Sequence, residues 1–299
     1  MRIDSVHACL APPLIEGESC LIGKFDAMGC PCEIVIDTLS PVIGRSLLEA
    51  TIQEAQRIEI KFSRYRKGSD VDRINTSGGM RIRVDDEMSG LLDYADSSFE
   101  LSNGLFDITT GVLRKVWRFD GSAQTVAQED VKRLLPLVGW KKIRWERPFL
   151  VVPAGMEIDL GGICKEYAAD RILHLLIQRS PLAMLVNLGG DIAAWGQRPW
   201  AVGIEDVQRP GAIIQTVHIK QGALATSGKT KRYVEIDGQR HAHILNPKTG
   251  WPIANPPKSV TVAARTCTEA GFWSTLAMLQ GAGAEAFLKE QQAEFWCYR

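Results

Sequence analysis

The chain has 299 residues, of which 45% are hydrophobic, and 35 Lys and Arg balance 35 Asp and Glu to give zero formal net charge at pH 7. That length and apolar content can bury a sizeable core, as one large domain or two intimately joined lobes, and exclude a disordered chain. Balanced charge without a long Lys/Arg run argues against nucleic acid as a partner, and the small cluster Lys229, Lys231, Arg232 reads as a solvated loop.

Residues 1–20 read as an irregular arm ahead of a single domain over 21–299. Asp4, His7, Pro12, Pro13, Glu16 and Glu18 interrupt any apolar leader, and no stretch is apolar enough for a transmembrane span. With Met1 as the native start, the expected location is the cytoplasm. Strands carrying a Met28-Gly29 turn are predicted over 21–38, and a helix over 46–62 from the spacing of Leu47, Ile52, Ala55, Ile58 and Phe62. Further helices are predicted over 88–103, stopped by Asn103-Gly104, and over 129–137. A hairpin is expected within 143–158, a helix over 165–178, and strands over 183–188, 200–204 and 216–220. Strands 233–236 and 241–245 flank Asp237-Gly238, a strong hairpin turn. A strand at 259–264 and a helix at 268–279 close the series, which reads as an α+β fold with mixed or antiparallel sheets and flanking helices. Seven scattered cysteines suit neither a disulfide framework nor zinc spacing and favour a reducing compartment. Cys30-Pro31-Cys32, with one intervening residue, reads as alternating strand positions rather than a redox centre.

The most informative stretch runs from Ile158 to Arg171, Ile-Asp-Leu-Gly-Gly-Ile-Cys-Lys-Glu-Tyr-Ala-Ala-Asp-Arg. It places Asp159, Gly161, Gly162 and Lys165 where an apolar strand is predicted to give way to a helix. Helix N-termini offer unpaired N–H groups to anions, and glycines allow close approach to the main chain. The spacing matches neither the Walker A loop nor the Gly-x-Gly-x-x-Gly turn, and alone it reads equally as a tight turn. Further Gly-rich segments follow: Asn187-Leu188-Gly189-Gly190-Asp191, the small-residue loop Ala225-Thr226-Ser227-Gly228, and His243-Ile244-Leu245-Asn246-Pro247-Lys248-Thr249-Gly250. Loops from separate parts of a chain can converge on one ligand.

In this order the segments resemble the ApbE family of FAD:protein FMN transferases. Ala27-Met28-Gly29-Cys30 is similar to the family's Ala-Met-Gly-Thr motif, and Ser63-Arg64-Tyr65 followed by Ser69 and Asn75 to its Ser-x-Tyr…Ser…Asn segment. Gly104-Leu105-Phe106-Asp107-Ile108-Thr109 resembles Gly-x-Phe-Asp-x-Thr, and the segments at 159–165, 187–191, 225–228 and 243–250 complete seven ordered matches. The resemblance implies an ApbE-like, T-fold-related architecture. It implies an enzyme that splits FAD at the pyrophosphate, moves FMN onto a Thr or Ser of a target flavoprotein, and releases AMP with help from magnesium. By the same resemblance Ala27, Met28, Gly29, Tyr65, Asp107, Thr109, Asp159, Gly161, Gly162, Lys165, Gly189, Gly190, Asp191, Thr226, Ser227, Gly228, His243 and Ile244 bind FAD. Met28 and Tyr65 would pack on its ring systems. Lys165 would hold phosphate, and His243 would orient or deprotonate the incoming hydroxyl. The Cys164 carbonyl and Thr275 would serve the metal.

Departures from the family pattern fall at sensitive positions. The family's Ala-Asp-Ala-x-Ser/Ala-Thr motif corresponds here to Ala270-Gly271-Phe272-Trp273-Ser274-Thr275, so a metal-binding aspartate is replaced by Gly271. Magnesium prefers charged oxygen ligands. Glu166 stands where the family commonly has glycine, Asn246 where it has aspartate, Cys30 where it has threonine, and Cys164 where it has alanine. Two expectations part at Gly271: an active transferase that recruits another ligand, such as Glu269 or water, or a flavin-binding relative that lacks transfer activity and stores, senses or hydrolyses FAD. Phe272 and Trp273 read as core.

Overall fold

In the computed structural model, described over residues 9–11, 20–209, 211–228, 233–236 and 239–299, the chain forms two compact units. The first comprises Met1–Ile60, Ile163–Thr226 and Thr261–Gly271, and the second Lys61–Gly162, Ser227–Val260 and Phe272–Arg299. Most of 1–20, the Lys229, Lys231, Arg232 cluster and the Asp237-Gly238 turn lie outside the described residues.

The first unit is built on strands in the spatial order Cys9–Ala11, Leu21–Ala27, Cys30–Ile36, Met184–Leu188 and Asp191–Trp195, followed by Gly222–Gly228 and Ser259–Ala264, of which residues 222–226 and 261–264 belong to this unit. Its registered pairs are antiparallel. Strict alternation buries Phe25, Ala27, Cys32, Ile34 and Ile36 on one face. Met184–Leu188 and Asp191–Trp195 are nearly continuous in small and aliphatic residues because both of their faces are covered. The helix Cys164–Arg179 packs on these two strands through Ala168, Ala169, Ile172 and Leu176. Cys9–Ala11, expected to be irregular, pairs with Ile22–Lys24 as an outer strand. The helix predicted from 46 starts at Pro41, since proline is well suited to a first helical turn.

The second unit combines a three-stranded antiparallel sheet, Arg81–Arg83, Phe149–Val151 and Arg144–Glu146, with the helices Asp70–Asn75, Asp86–Leu101, Gln128–Leu134 and Ala284–Glu290. Asp85 caps the helix Asp86–Leu101 by accepting from the Met88 N–H, and Asn103 and Gly104 end it with positive φ. A core of Val112, Leu113, Trp117, Val131, Leu134, Val138, Val234 and Leu245 anchors one end of this unit. Among the described residues no helix is long and apolar enough to cross a membrane. The six cysteines with described side chains form no disulfide with one another.

Several local expectations change. Residues 157–160 form no strand, so the central motif is an extended segment entering a helix; Asn75 fixes it by pairing through its side chain with both the N–H and the C=O of Ile158. Ala225–Gly228, expected as a loop, closes the strand Gly222–Gly228. The second strand of the 233–242 hairpin is Gln239–Ala242, which leaves His243 just beyond it in a bend. Small residues and an isolated histidine carry too little periodic signal to settle such boundaries.

Candidate functional site

In the first unit, two tight turns meet at one end of the sheet. Ala27 faces Cys30 across Met28-Gly29, and Leu188 faces Asp191 across Gly189-Gly190. Both are two-residue turns with positive φ at both positions, 53° and 71° in the first and 69° and 106° in the second. This geometry matches the twist of antiparallel strands. Met28 adopts it without being glycine, and its N–H is held by a 3.0 Å hydrogen bond to Glu59 Oε2. Pairing of Cys32 with Leu188 brings the turns together, so that a Cβ at Gly189 would lie 2.8 Å from Cys30 Sγ. Only glycine fits there.

Beside these turns begins the helix Cys164–Arg179, whose N-cap Ile163 supplies no side-chain hydrogen bond to the first turn. Lys165, in that turn, forms a 2.5 Å salt bridge with Asp191 Oδ2. Burial alone would lower the Lys165 pKa, but Asp191 and then Glu166 hold it above the ordinary lysine value. A cation at a helix N-terminus opposes the macrodipole, and its place there is stabilised by the buried Asp191 carboxylate. Replacing Lys165 by alanine is expected to destabilise the protein by about 2 kcal/mol, less than the loss of a fully buried pair because the Lys165 side chain is 32% exposed. Urea unfolding of the variant checks this, and a loss below about 0.5 kcal/mol would show that Asp191 is satisfied without the lysine.

Glu166, next in the helix, is buried, and its Oε2 has no hydrogen-bond partner. Burial, followed by repulsion from Asp191, pushes its pKa up to about 8. Asp170, one turn further on, accepts from the N–H groups of Cys267 and Thr268 and from the Thr268 hydroxyl, at 2.7, 2.9 and 2.6 Å. It thereby ties the helix Cys164–Arg179 to the start of the helix Cys267–Leu279. Thr226 bonds Thr261 through their hydroxyls at 2.8 Å.

In the second unit, the expected ligands divide into a scaffold and an exposed surface. Asp107 caps the segment Ile108–Lys115 by accepting from the N–H and hydroxyl of Thr109, while its other oxygen accepts from the Trp140 N–H at 3.0 Å. Thr109 in turn accepts from the Gly139 N–H, so both side chains shape the loop from inside. Asp159 does not cap the following helix. Its Oδ1 accepts from the Gly161 N–H at 2.9 Å in a local turn, and its Oδ2 faces Arg64 at 3.2 Å and Arg114 at 3.4 Å. Arg64 also grips Glu157 at 2.6 Å and the Gly111 carbonyl at 2.9 Å. Neither Gly161 nor Gly162 needs a positive φ, although a Cβ at Gly161 would come within 3.0 Å of Asp159 Oδ1. Tyr65 is 74% exposed, with the Arg64 and Arg114 guanidinium groups 5.8 and 5.6 Å from the centre of its ring. It offers a planar face framed by cations.

Ser227 Oγ lies 2.9 Å from Ser274 Oγ and 3.2 Å from Thr275 Oγ1, a cluster of uncharged oxygens next to Gly228. His243 is half-buried and packs edge-on to Phe119, with ring centres 6.3 Å apart; Ile244 receives a hydrogen bond from the Ile253 N–H. The turn after it is set by Asn246, whose side-chain oxygen accepts from the Lys248 N–H at 2.9 Å. An amide oxygen performs this bond as a carboxylate would, so the Asn246 departure keeps the local geometry. Phe272 is buried edge-on to Phe106 and Tyr94, as core. Arg114, Glu157, Glu59 and Asp170 escaped the sequence reading, because their partners are distant in sequence. No three His, Cys, Asp or Glu side chains gather into a metal cage among the described residues.

Antiparallel sheets with flanking helices, and Gly-rich turns beside a helix that opens on Lys165, define a mixed α+β protein of the architecture found in ApbE structures. The ApbE family model matches residues 28–298, and the chain belongs to the ApbE family. The FAD:protein FMN transferase of Klebsiella pneumoniae strain 342 is 32% identical over 250 residues, covering 80% of this chain and 77% of that protein. That of Treponema pallidum strain Nichols is 28% identical over 281 residues, covering 85% and 77%. The crystal structure of an ApbE protein from Thermotoga maritima superposes with a TM-score of 0.83 at 29% identity, covering 98% of this chain and 94% of that one. The flavin transferase ApbE of Vibrio cholerae shares the fold, with a TM-score of 0.78 at 23% identity over 98% and 94% of the two chains.

Proposed function

We propose that this chain is an FAD:protein FMN transferase. The hydroxyl oxygen of a Thr or Ser on a target flavoprotein attacks the FMN phosphorus of FAD, the pyrophosphate P–O bond breaks, AMP leaves, and the hydroxyl proton passes to a base. Transfer of this kind depends on neutralising phosphate charge and on positioning an in-line nucleophile. The observation that carries the reading is the Lys165 ammonium, held by Asp191 in the first turn of a helix beside two glycine-bearing turns, in a chain of this family. Lys165 and the helix N–H groups would bind phosphate oxygens, and the positive φ of Gly29, Gly189 and Gly190 keeps the turns free of side chains that would obstruct a ligand. Met28 and Ala27 would border the ligand, and the exposed Tyr65 ring would stack on a flavin or adenine plane. His243 would accept or direct the hydroxyl proton.

A divalent cation fits the residues present. The buried Glu166 Oε2 lacks a partner, and hard cations take such oxygens together with main-chain carbonyls such as that of Cys164. When bound, magnesium would neutralise charge on phosphate oxygens.

Incubating the protein with FAD, magnesium chloride and a peptide carrying a flavinylation motif is expected to give a peptide heavier by one FMN phosphoester, with one AMP per adduct. FAD binding without an adduct or AMP would favour the reading of a flavin-binding relative that lacks transfer activity. Failure to bind FAD would overturn both.

A further inference from the structure

Two departures from the family pattern, far apart in sequence, occupy one place in the first unit. Gly271 stands where the resemblance expects an aspartate, and Glu166 where it expects glycine. A Cβ added at Gly271 would lie 2.5 Å from Glu166 Cγ, 2.9 Å from Glu166 Oε1 and 3.0 Å from Glu166 Cδ. The space that a side chain at 271 would enter is therefore filled by the Glu166 side chain. Its neighbours leave this carboxylate available. Asp170 is saturated by the helix it caps, and Asp191 is paired with Lys165. Glu166 Oε2 is buried without a hydrogen-bond partner, an arrangement that is unfavourable unless a ligand completes it.

We propose that the Glu166 carboxylate has taken over the cation-binding role that the family resemblance gives to an aspartate at position 271. The exchange moves one carboxylate from the helix Cys267–Leu279 to the helix Cys164–Arg179, and the bond from Asp170 to Cys267 and Thr268 fixes the register in which the two positions coincide. A single charged ligand suits magnesium, which keeps several waters and binds through one or two carboxylates plus phosphate oxygens. That also accounts for the lack of a three-carboxylate cage among the described residues. Glu269, the other carboxylate considered for this role, is half-buried and bonds through its main chain to Thr266. The inference rests on the transferase reading for the kind of cation it names.

The test is manganese binding to the full chain, followed by the electron paramagnetic resonance of free Mn2+, in wild type, Glu166→Gln, Gly271→Asp and the double exchange Glu166→Gly with Gly271→Asp. Wild type is expected to bind one Mn2+, and Glu166→Gln to lose at least about tenfold in affinity with its Tm unchanged, since glutamine keeps the shape and removes the charge. Gly271→Asp alone is expected to lower Tm through its collision with Glu166, and the double exchange to recover both Tm and Mn2+ affinity. Wild-type affinity in Glu166→Gln, or no Mn2+ bound by wild type at millimolar concentration, would overturn the proposal. Because Glu166→Gln introduces no new bulk, it decides the matter even if the exchanged protein does not fold. FAD binding by wild type, followed in EDTA through flavin fluorescence, is a separate arm: failure there removes the transferase reading and leaves the assignment of Glu166 to a cation standing on the Mn2+ data.

Discussion

Replacing Trp117 by alanine is expected to destabilise the second unit by about 4 kcal/mol, the largest stability loss anticipated for one substitution in this chain. The indole is fully buried within the cluster of Val112, Leu113, Val131, Leu134, Val138, Val234 and Leu245. It stacks on Phe119 at 6.3 Å, meets Trp251 edge-on at 5.1 Å, and donates from Nε1 to the Gly250 carbonyl at 2.8 Å. Alanine would remove the aromatic contacts, leave a cavity, and strand a carbonyl in a turn where Gly250 has a φ of 74° and touches the core so closely that a Cβ would lie 2.6 Å from Val131 Cγ1. Phenylalanine at 117 retains part of the packing but not the hydrogen bond and should cost about half as much. Urea unfolding, with the two units followed separately where their transitions differ, provides the measurement. A loss under about 1 kcal/mol for the alanine variant would mean that the cluster does not hold this unit together.

The same cluster shows what the sequence could and could not reveal. The long helices were legible because apolar residues such as Leu47, Ala55, Ile58 and Phe62 recur on one face, and the strands 21–27 and 30–36 because burial alternates along them. The Met28-Gly29 and Gly189-Gly190 turns were legible as glycine-bearing breaks between apolar runs, but their adjacency depends on strand register, which no local pattern specifies. The segment Ile108–Lys115 was missed because it is held by Asp107 from its own start rather than by helical periodicity. Asp107 and Thr109 illustrate a related difficulty. They sit in a family motif, yet their oxygens are satisfied inside the fold, and a motif alone does not distinguish a ligand from the scaffold that shapes its loop. Glu166 and Gly271 looked like two unrelated departures until their side-chain volumes were seen to coincide. The links from Arg64 to Asp159 and Glu157 and from Asp170 to Thr268 join residues nearly a hundred positions apart, beyond the reach of helical or strand spacing.

His243→Ala is expected to slow FMN transfer by about 10²–10⁴-fold, the range associated with loss of a general base, while FAD affinity stays close to that of the wild type. The separation follows from when the imidazole would act in the proposed reaction. Removing the proton of an incoming hydroxyl contributes in the transition state and adds little to holding FAD in the ground state. On the proposed function, phosphate binding would draw on other groups, chiefly the Lys165 ammonium, which is paired with Asp191, and the helix N–H groups beside it. The ring's position just beyond the strand Gln239–Ala242, edge-on to Phe119, gives the competing account that His243 merely packs the bend. Glutamine at 243 separates the two accounts, because it fills much of the imidazole's space and forms hydrogen bonds but cannot serve as a base near neutral pH. If His243 takes the proton, the glutamine variant should be as slow as alanine. If it only packs the loop, glutamine should restore most of the rate. Single-turnover measurement of the FMN adduct, paired with fluorescence titration of FAD, resolves transfer from binding. Unchanged transfer in His243→Ala would remove the residue from the chemistry and require another group to take the hydroxyl proton.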